Sequence, residues 1–157
     1  MLGTTNIHFD SVFENKNNTS ADRTAQGLFA AEIRQAHWHR LLARLMGHST
    51  RLLDLNDIRP QDKNHGGSYL GARTVKIDRI RGSEGRSHDF DSDFRPLRET
   101  TRSRWMRIAI ARLTGETLPP VDLVKVGDFY FVRDGHHRIS VARALGQQFV
   151  DAIVVKG

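Results

Sequence analysis

The stretch that most constrains this chain is the turn Asp134-Gly135-His136-His137-Arg138. Upstream, residues 128–133 form a short aromatic and β-branched run, which predicts a strand. Downstream, residues 139–145 follow a helical pattern that ends at Gly146, a suitable left-handed terminator. A tight Asp-Gly turn therefore joins a strand directly to a helix.

The first turn of this helix is predicted to bind an anion. Its backbone N–H groups have no partners within the helix, and the helix dipole is positive there. Gly135 lets a ligand approach the backbone, and Arg138 supplies a planar charged fork that suits phosphate or carboxylate. Cations at a helix N-terminus oppose the dipole, which favours a bound anion over the alternative, an ordinary turn with solvated histidines.

The charge balance of the chain indicates the same kind of ligand. The formal charge is +6, the pI is about 10.3, and 19 of the 24 basic residues are arginine. This bias fits phosphate recognition better than general solubility, and it predicts a nucleotide or nucleic-acid partner. The alternative is a mixed, solvated surface, because 18 acidic residues are interspersed.

Several classes of protein are excluded by what the sequence lacks. No run of about 18 apolar residues exists, so no membrane span is predicted. The N-terminus has neither the basic region nor the apolar region of a secretory signal. Cysteine is absent, which excludes disulfides, thiolate metal sites and a cysteine nucleophile. A cytoplasmic protein is the simplest interpretation.

The N-terminal part is predicted to be helical. Residues 1–20 are polar and are expected to form a mobile arm. A helix is predicted over 21–46, capped by Thr19 or Ser20. Its apolar stripe at i, i+4 spacing contains Phe29, Ile33, His37, Leu41 and Leu45, widened by Trp38 and Leu42. His37 is interpreted as a core histidine. The stripe could pack on the main domain, pair with a second copy as a homodimer, or lie on nucleic acid.

Residues 21–71 are taken as this helical segment and its connector, and 72–157 as the main domain. The connector contains a possible hydrophobic docking run at 51–55 and a loop at 59–68. A strand is predicted over 73–80. The next residues, 81–86, read as a loop with two glycines that can wrap closely around a ligand. That loop contains Ser83, Glu84 and Arg86 and lacks the ending of a Walker A motif.

Asp89, Asp91 and Asp93 are spaced two residues apart. Turn formation and pairing with arginine are the favoured interpretation. The alternative is a Mg²⁺ site, for which Asp89, Asp91 and Asp134 are the candidate ligands, because hard cations prefer carboxylate oxygens.

A second helix is predicted from Thr100 or Thr101 to about Leu113, with Gly115 as terminator. Its buried stripe is predicted to contain Trp105, Ile108, Ala109 and Leu113. Its arginines lie mostly on other faces and are the best candidates for contacts with a DNA backbone, although a solvated basic face is equally possible: Arg102, Arg104 and Arg107. Three strands are then predicted at 121–126, 129–133 and 150–155, the first two joined by a Gly-Asp hairpin turn.

From about residue 73 onward the order of elements resembles the ParB/sulfiredoxin-like superfamily. The most specific match runs from Leu118-Pro119-Pro120-Val121 to the Asp134–Arg138 turn, then Ala142 and Gly146. The resemblance implies an α+β fold, a small mixed sheet with packed helices, here preceded by a long N-terminal helix. It also implies that the Gly135–Arg138 turn binds the phosphates of a nucleoside triphosphate, CTP or ATP, possibly with Mg²⁺.

The resemblance can be read residue by residue. Gly135 and Arg138 match every version of the turn in this superfamily. His137 matches the histidine of the Gly-Cys-His-Arg turn in sulfiredoxin, whereas His136 replaces its cysteine, which argues against sulfiredoxin activity. The sequence after the last strand offers no helix-turn-helix or dimerisation domain, so a complete ParB partition protein is not expected. The serine kinases of the superfamily place a catalytic glutamate near Glu84.

Two functional hypotheses follow from this reading. The first is a nucleotide-binding module in a DNA-associated process, whose phosphate-binding residues are Ser83, Arg86, Gly135, His136, His137 and Arg138. The second is a phosphoryl-transfer or hydrolytic enzyme, namely an NTPase, a DNase or a free amino-acid kinase. In that enzyme Glu84 or His137 would be the catalytic base or acid.

Overall fold

The computed structural model describes residues 9–58 and 67–157, and the side chains of the first helix from Thr19 onward. The predicted α+β class is confirmed. The helices are α1 Phe9–Met46, α2 Leu55–Ile58, α3 Arg102–Leu113 and α4 His136–Ala144. The strands are β1 Leu53–Asp54, β2 Tyr69–Lys76, β3 Ile80–Ser83, β4 Val121–Val126, β5 Phe129–Asp134 and β6 Phe149–Lys156.

The strands form one mixed sheet in the order β1-β3-β5-β4-β6-β2. β4 and β5 are an antiparallel hairpin, as predicted, and Gly127 has a φ of 58° in the turn between them. β3 runs parallel to β5, with Ser83 opposite Val132. The carboxyl ends of these two strands therefore lie side by side, and Ser83 and the Gly135 turn come from the same edge.

The main core lies between this sheet and α4, where Val132 and Ile139 are fully buried. A second cluster joins α1, α3 and α4: Phe29 lies 5.4 Å from the ring of Trp105, and Trp105 Nε1 donates to Ser140 Oγ at 2.9 Å. The opposite face of the sheet buries Leu55, Val124 and Phe131. Helix α3 is thus fixed beside the start of α4.

The predictions for α1 were partly wrong. The helix begins at Phe9, so residues 9–20 are helical and are not a mobile arm, while residues 1–8 lie outside the described residues. The face that packs on the protein is lined mainly by Ala21, Ala25, Phe29, Ala36 and Ala43. The small alanine side chains allow α1 to approach the domain closely, and the large residues of its second half, from Trp38 onward, are exposed. His37 is exposed, so it is not a core histidine.

The connector also differs from prediction. Leu52 and Leu55 are buried, which confirms hydrophobic docking, but β1 and α2 are regular elements within it. Most of the predicted loop, 59–66, lies outside the described residues. Gly82 is in β3 and not in a loop: a Cβ there would lie 2.5 Å from the Leu53 carbonyl oxygen, so the glycine allows β1 to pair with β3. Within the described residues, no helix is long and apolar enough to cross a membrane.

Candidate functional site

The Gly135 turn joins β5 to α4. Gly135 has a φ of 96°, in the left-handed region, and a Cβ on it would lie 2.6 Å from Val121 Cγ1. Both the conformation and the space therefore require glycine. The Ile139 N–H donates to the Gly135 carbonyl at 3.0 Å, so the N–H groups of residues 136–138 precede the first helical hydrogen bond.

A cleft of about 660 Å³ opens between α3 and this turn. Its basic lining residues are Arg86, Arg104, Arg107 and Arg138, and its carboxylates are Glu116 and Asp134. An apolar wall is formed by Ile108, Ile110, Ala111, Leu118 and Pro119. The cleft therefore combines a strongly basic end with an apolar surface.

The two histidines of the turn are buried in the floor of the cleft. His136 Nε2 lies 2.7 Å from Ser83 Oγ, and this oxygen accepts the Arg86 N–H at 2.9 Å. Since the hydroxyl has a single proton, this arrangement suits donation to an unprotonated Nε2. Phe90 stacks on the His136 ring at 6.1 Å and meets the His137 ring edge-on at 5.3 Å. Ser83 was predicted to bind phosphate. In the structure its hydroxyl contacts His136 and holds that ring in place.

Both histidines are neutral at pH 7. Burial lowers the pKa of His136 to about 4, and the charge of Arg86 contributes to the shift. Burial also lowers the pKa of His137 to about 4, followed by the charges of Arg104 and Arg86. His137 Nε2 is buried without a hydrogen-bond partner among the described residues. The positive charge of the cleft therefore comes from its arginines.

Arg138 is not the open fork that the sequence predicts. Its Nη1 donates to the carbonyl oxygens of Pro119 and Pro120 at 2.8 and 2.9 Å. Its Nη2 donates to Asp134 Oδ2 at 2.6 Å. Arg138 thereby holds the Leu-Pro-Pro segment against the turn, and most of its donors are already used.

Three other arginines are available instead. The guanidinium groups of Arg86, Arg104 and Arg107 make no hydrogen bond or ion pair with any described residue. Arg104 and Arg107, predicted as DNA contacts, line the cleft together with Ile108 and Ala111. These four residues have the spacing i, i+3, i+4, i+7, which places them on one face of α3 and could have been recognised in the sequence. Arg102 is different: it lies over the Phe29 ring at 5.7 Å and 3.8 Å from Glu99.

Glu84 does not face the Gly135 turn. Its Oε2 accepts a hydrogen bond from Arg133 Nε at 2.6 Å, and the residue does not line the cleft. Along β5, Val132 packs on the α4 side of the sheet, so Arg133 projects to the other side. The structure therefore separates Glu84 from the phosphate-binding candidates.

The predicted metal ligands are not brought together. Asp91 is fully buried and accepts hydrogen bonds from the Arg95 and Asp93 N–H groups at 2.8 and 2.9 Å. Turn formation and arginine pairing are therefore what the structure shows. Asp134 pairs with Arg138, and Asp89 lies 3.9 Å from Arg98. Among the described residues, the grouping with metal-ligand spacing is instead His39, Asp91 and Asp93, where Arg95 already supplies positive charge.

Comparison with solved structures finds a sulfiredoxin from Arabidopsis thaliana, whose crystal structure aligns with 55% of this chain and 85% of its own. The identity is 19% and the TM-score is 0.39. No family model matches the chain, and no curated protein does.

Proposed function

We propose that this protein binds a nucleotide, with its phosphates in the cleft between α3 and the Gly135 turn. The observation that carries the proposal is the cluster of Arg86, Arg104 and Arg107, which surrounds the start of α4 without a partner among the described residues. Three cations at the amino end of α4 repel one another and are unfavourable near the positive end of the helix dipole. A bound phosphate would offset both of these unfavourable electrostatic interactions.

The two ends of the cleft suit the two ends of a nucleotide. Phosphate oxygens can accept hydrogen bonds from the N–H groups of residues 136–138 and from the three guanidinium groups. The wall formed by Ile108, Ala111 and Leu118 offers an apolar surface for the base. A volume of about 660 Å³ lies within the range of roughly 300–1,000 Å³ that small-molecule sites occupy. A Mg²⁺ ion carried by the phosphates would find carboxylate ligands in Glu116 or Asp134.

Isothermal titration calorimetry with CTP, ATP and ADP, each with Mg²⁺, tests this proposal. Arg104→Ala is expected to weaken binding about 10-fold or more, because a charge-assisted hydrogen bond contributes about 1.5–3 kcal/mol. The matched control is Arg79→Ala, an exposed arginine outside the cleft, which should leave the affinity unchanged. No binding of any nucleotide, or equal binding by the Arg104→Ala protein, would reject the proposal.

We also propose a role for this basic surface in a DNA-associated process, because Arg104 and Arg107 are exposed on α3 as well as lining the cleft. The affinity for a DNA duplex should then fall steeply with added salt. Because the same two arginines would contact both ligands, saturating nucleotide should displace DNA. Fluorescence anisotropy with labelled duplex measures both effects. A salt-independent signal, or none at low salt, would exclude this role.

Catalysis with Glu84 as base is not part of the proposal, because its carboxylate pairs with Arg133 away from the cleft. The carboxylates that do line the cleft are Glu116 and Asp134, and Asp134 already accepts a hydrogen bond from Arg138. No side chain of the cleft is therefore assigned a role in catalysis.

A further inference from the structure

The second half of α1 has two apolar faces. Ala36 and Ala43 are 1% and 8% exposed and pack inward. In contrast, five large residues of the same segment are between 50% and 77% exposed: Trp38, Leu41, Leu42, Leu45 and Met46. With about 100° of rotation per residue, these five lie on one stripe, roughly 140° around the helix from the two alanines.

This outward stripe, residues 38–46, is a contiguous exposed apolar patch. Its five side chains expose on the order of 500 Å² together, which matches the largest patch on a typical monomer, about 300–600 Å², and such patches are often functional. The spacing i, i+3, i+4, i+7, i+8 is that of a helix–helix contact. A shallow groove of about 260 Å³ beside it is lined by Arg34, His37, Trp38 and Leu41. An apolar surface of this kind suits another helix better than a phosphate backbone.

We infer that the outward stripe is the contact surface between two copies of this chain, paired through antiparallel α1 helices about a two-fold axis between Leu41 and Leu42. The stripe is complementary to itself in that arrangement. Trp38 meets Leu45 of the second copy, and Leu41 meets Leu42 of the second copy. A two-fold axis requires such self-complementarity, because the same patch is used by both subunits.

The charges of this segment are compatible with the same register. From residue 33 to residue 53 the sequence contains four arginines and no carboxylate, and in this register none of the four faces another: Arg40, for example, lies opposite Ala43. In the antiparallel register, Arg34 lies beyond the last turn of the second copy's α1, where a cation stabilises the helix dipole. Arg44 lies opposite His39 of the second copy, and in each copy His39 Nδ1 is 3.8 Å from the Asp93 carboxylate.

The area of the stripe is near the lower limit for a specific interface. Such an interface should bury about 1,000 Å² in total, or roughly 500 Å² on each partner, and the aliphatic stems of Arg34 and Arg44 add to the stripe. The surface lies on α1, apart from the residues that line the cleft. Pairing therefore does not depend on the proposed nucleotide, and either idea can fail without the other.

Sedimentation equilibrium of the full chain tests the inference. The expected species at high concentration has twice the chain mass of 17.8 kDa. Trp38→Glu and Leu45→Lys should each weaken association at least 100-fold. An equimolar mixture of these two variants should form a heterodimer, because one contact of the pair is then native and the other joins opposite charges. Tyr69→Glu, at a residue that is 69% exposed elsewhere, should leave association unchanged.

Circular dichroism establishes that each variant is folded, and where a charged variant is not, Leu45→Ser replaces it in the test for loss of the dimer, without the mixing experiment. A chain that stays monomeric at every concentration overturns the inference. So does a dimer that survives both charged substitutions, or a mixture of the two variants that fails to pair. A monomer that instead binds phosphatidylserine vesicles through Trp38 identifies a membrane surface as the occupant, which also rejects the second copy.

Discussion

Arginines surround both ends of α4, but the two ends use them in opposite ways. At the carboxyl end, Arg95 lies 2.7 Å from Asp93, 3.4 Å from Asp91 and 3.7 Å from Glu32. At the amino end, the side chains of Arg86, Arg104 and Arg107 have no such partner among the described residues. The first cluster therefore belongs to the folded structure, and the second is open to a ligand.

The helix dipole explains why arginine is favourable at the carboxyl end of α4 and unfavourable at its amino end. A cation is stabilising at the carboxyl end of a helix and destabilising at the amino end, by about 0.3–1 kcal/mol in exposed positions. Arg143, in the last turn of α4, also donates to the carbonyl oxygens of Ile77 and Ile80 at 3.2 and 3.0 Å. An uncompensated cluster at the other end sacrifices stability, which is typical of a binding site.

Of the single substitutions that compare the two ends of α4, removing Arg95 should have the largest effect on stability. Asp91 is fully buried, and Arg95→Ala leaves its carboxylate without its main counter-charge. We expect a loss of about 3–5 kcal/mol in the free energy of unfolding, measured by urea denaturation. Arg107→Ala, the matched change at the other end, should alter stability by less than about 0.5 kcal/mol. Equal losses at both ends would show that the two clusters do not differ.

Acidification should lower the stability of the protein mainly through His136 and His137, at the amino end of α4. The pKa values of His136 and His137 fall from 6.5 to about 4 on folding, so between these values the unfolded chain binds more protons. Their contribution to stability is therefore present above pH 6.5 and is lost as the pH falls to 4, by an amount of ~3 kcal/mol for each histidine.

Urea denaturation between pH 7 and pH 4 measures this loss. His137→Gln should flatten the pH profile, since glutamine does not titrate. His37→Gln is the control, because it makes the same replacement at an exposed histidine of α1, outside the buried pair. A profile that is unchanged in the His137→Gln protein would contradict the assignment of the effect to the buried pair.

Nucleotide should stabilise the protein through one cluster only. At a concentration 100 times the Kd, a ligand that binds the folded state adds about 2.7 kcal/mol. A thermal-shift series with ATP or CTP should show this gain in the native protein and little of it in Arg86→Ala. Arg81→Ala, which removes another exposed arginine, should retain the full shift. A shift that persists in Arg86→Ala would place the ligand elsewhere.

The smallest effect is expected at Glu84. Its pair with Arg133 is partly exposed, so Glu84→Gln should cost at most about 1 kcal/mol of stability. Nucleotide affinity should change less than about twofold, because the carboxylate does not line the cleft. Calorimetry measures the nucleotide affinity of this variant. A large loss of affinity would mean that Glu84 contacts the ligand.

The local features of this domain could be predicted from the sequence. The strands β4, β5 and β6, the turn at Gly135 and the helix that follows were predicted within a residue or two, because turn glycines and apolar periodicity are local signals. The short β1 was missed, since a two-residue strand exists only through its pairing with Gly82 and Ser83.

The candidate site could be predicted only in part, because the residues that its side chains contact are remote in sequence. Arg138 appeared open until its contacts with the carbonyl oxygens of Pro119 and Pro120 were known. Glu84 was expected near the turn, but the alternation of β5 directs its partner Arg133 to the other face of the sheet. Helical periodicity likewise could not decide which of the two apolar faces of α1 packs inward.

The place of β2 in the sheet has a consequence for folding. β2 lies at the edge of the sheet and, among the described strands, pairs with β6 alone, with Lys76 opposite Phe149 and Tyr69 opposite Val155, whereas β4 and β5 are joined by a tight turn. Closing a long loop costs more chain entropy than closing a hairpin, so β2 is the natural last strand to join. Substitutions in β2 should then change the unfolding rate more than the folding rate, and until β2 docks, the outer edge of β6 stays open to pairing with other chains.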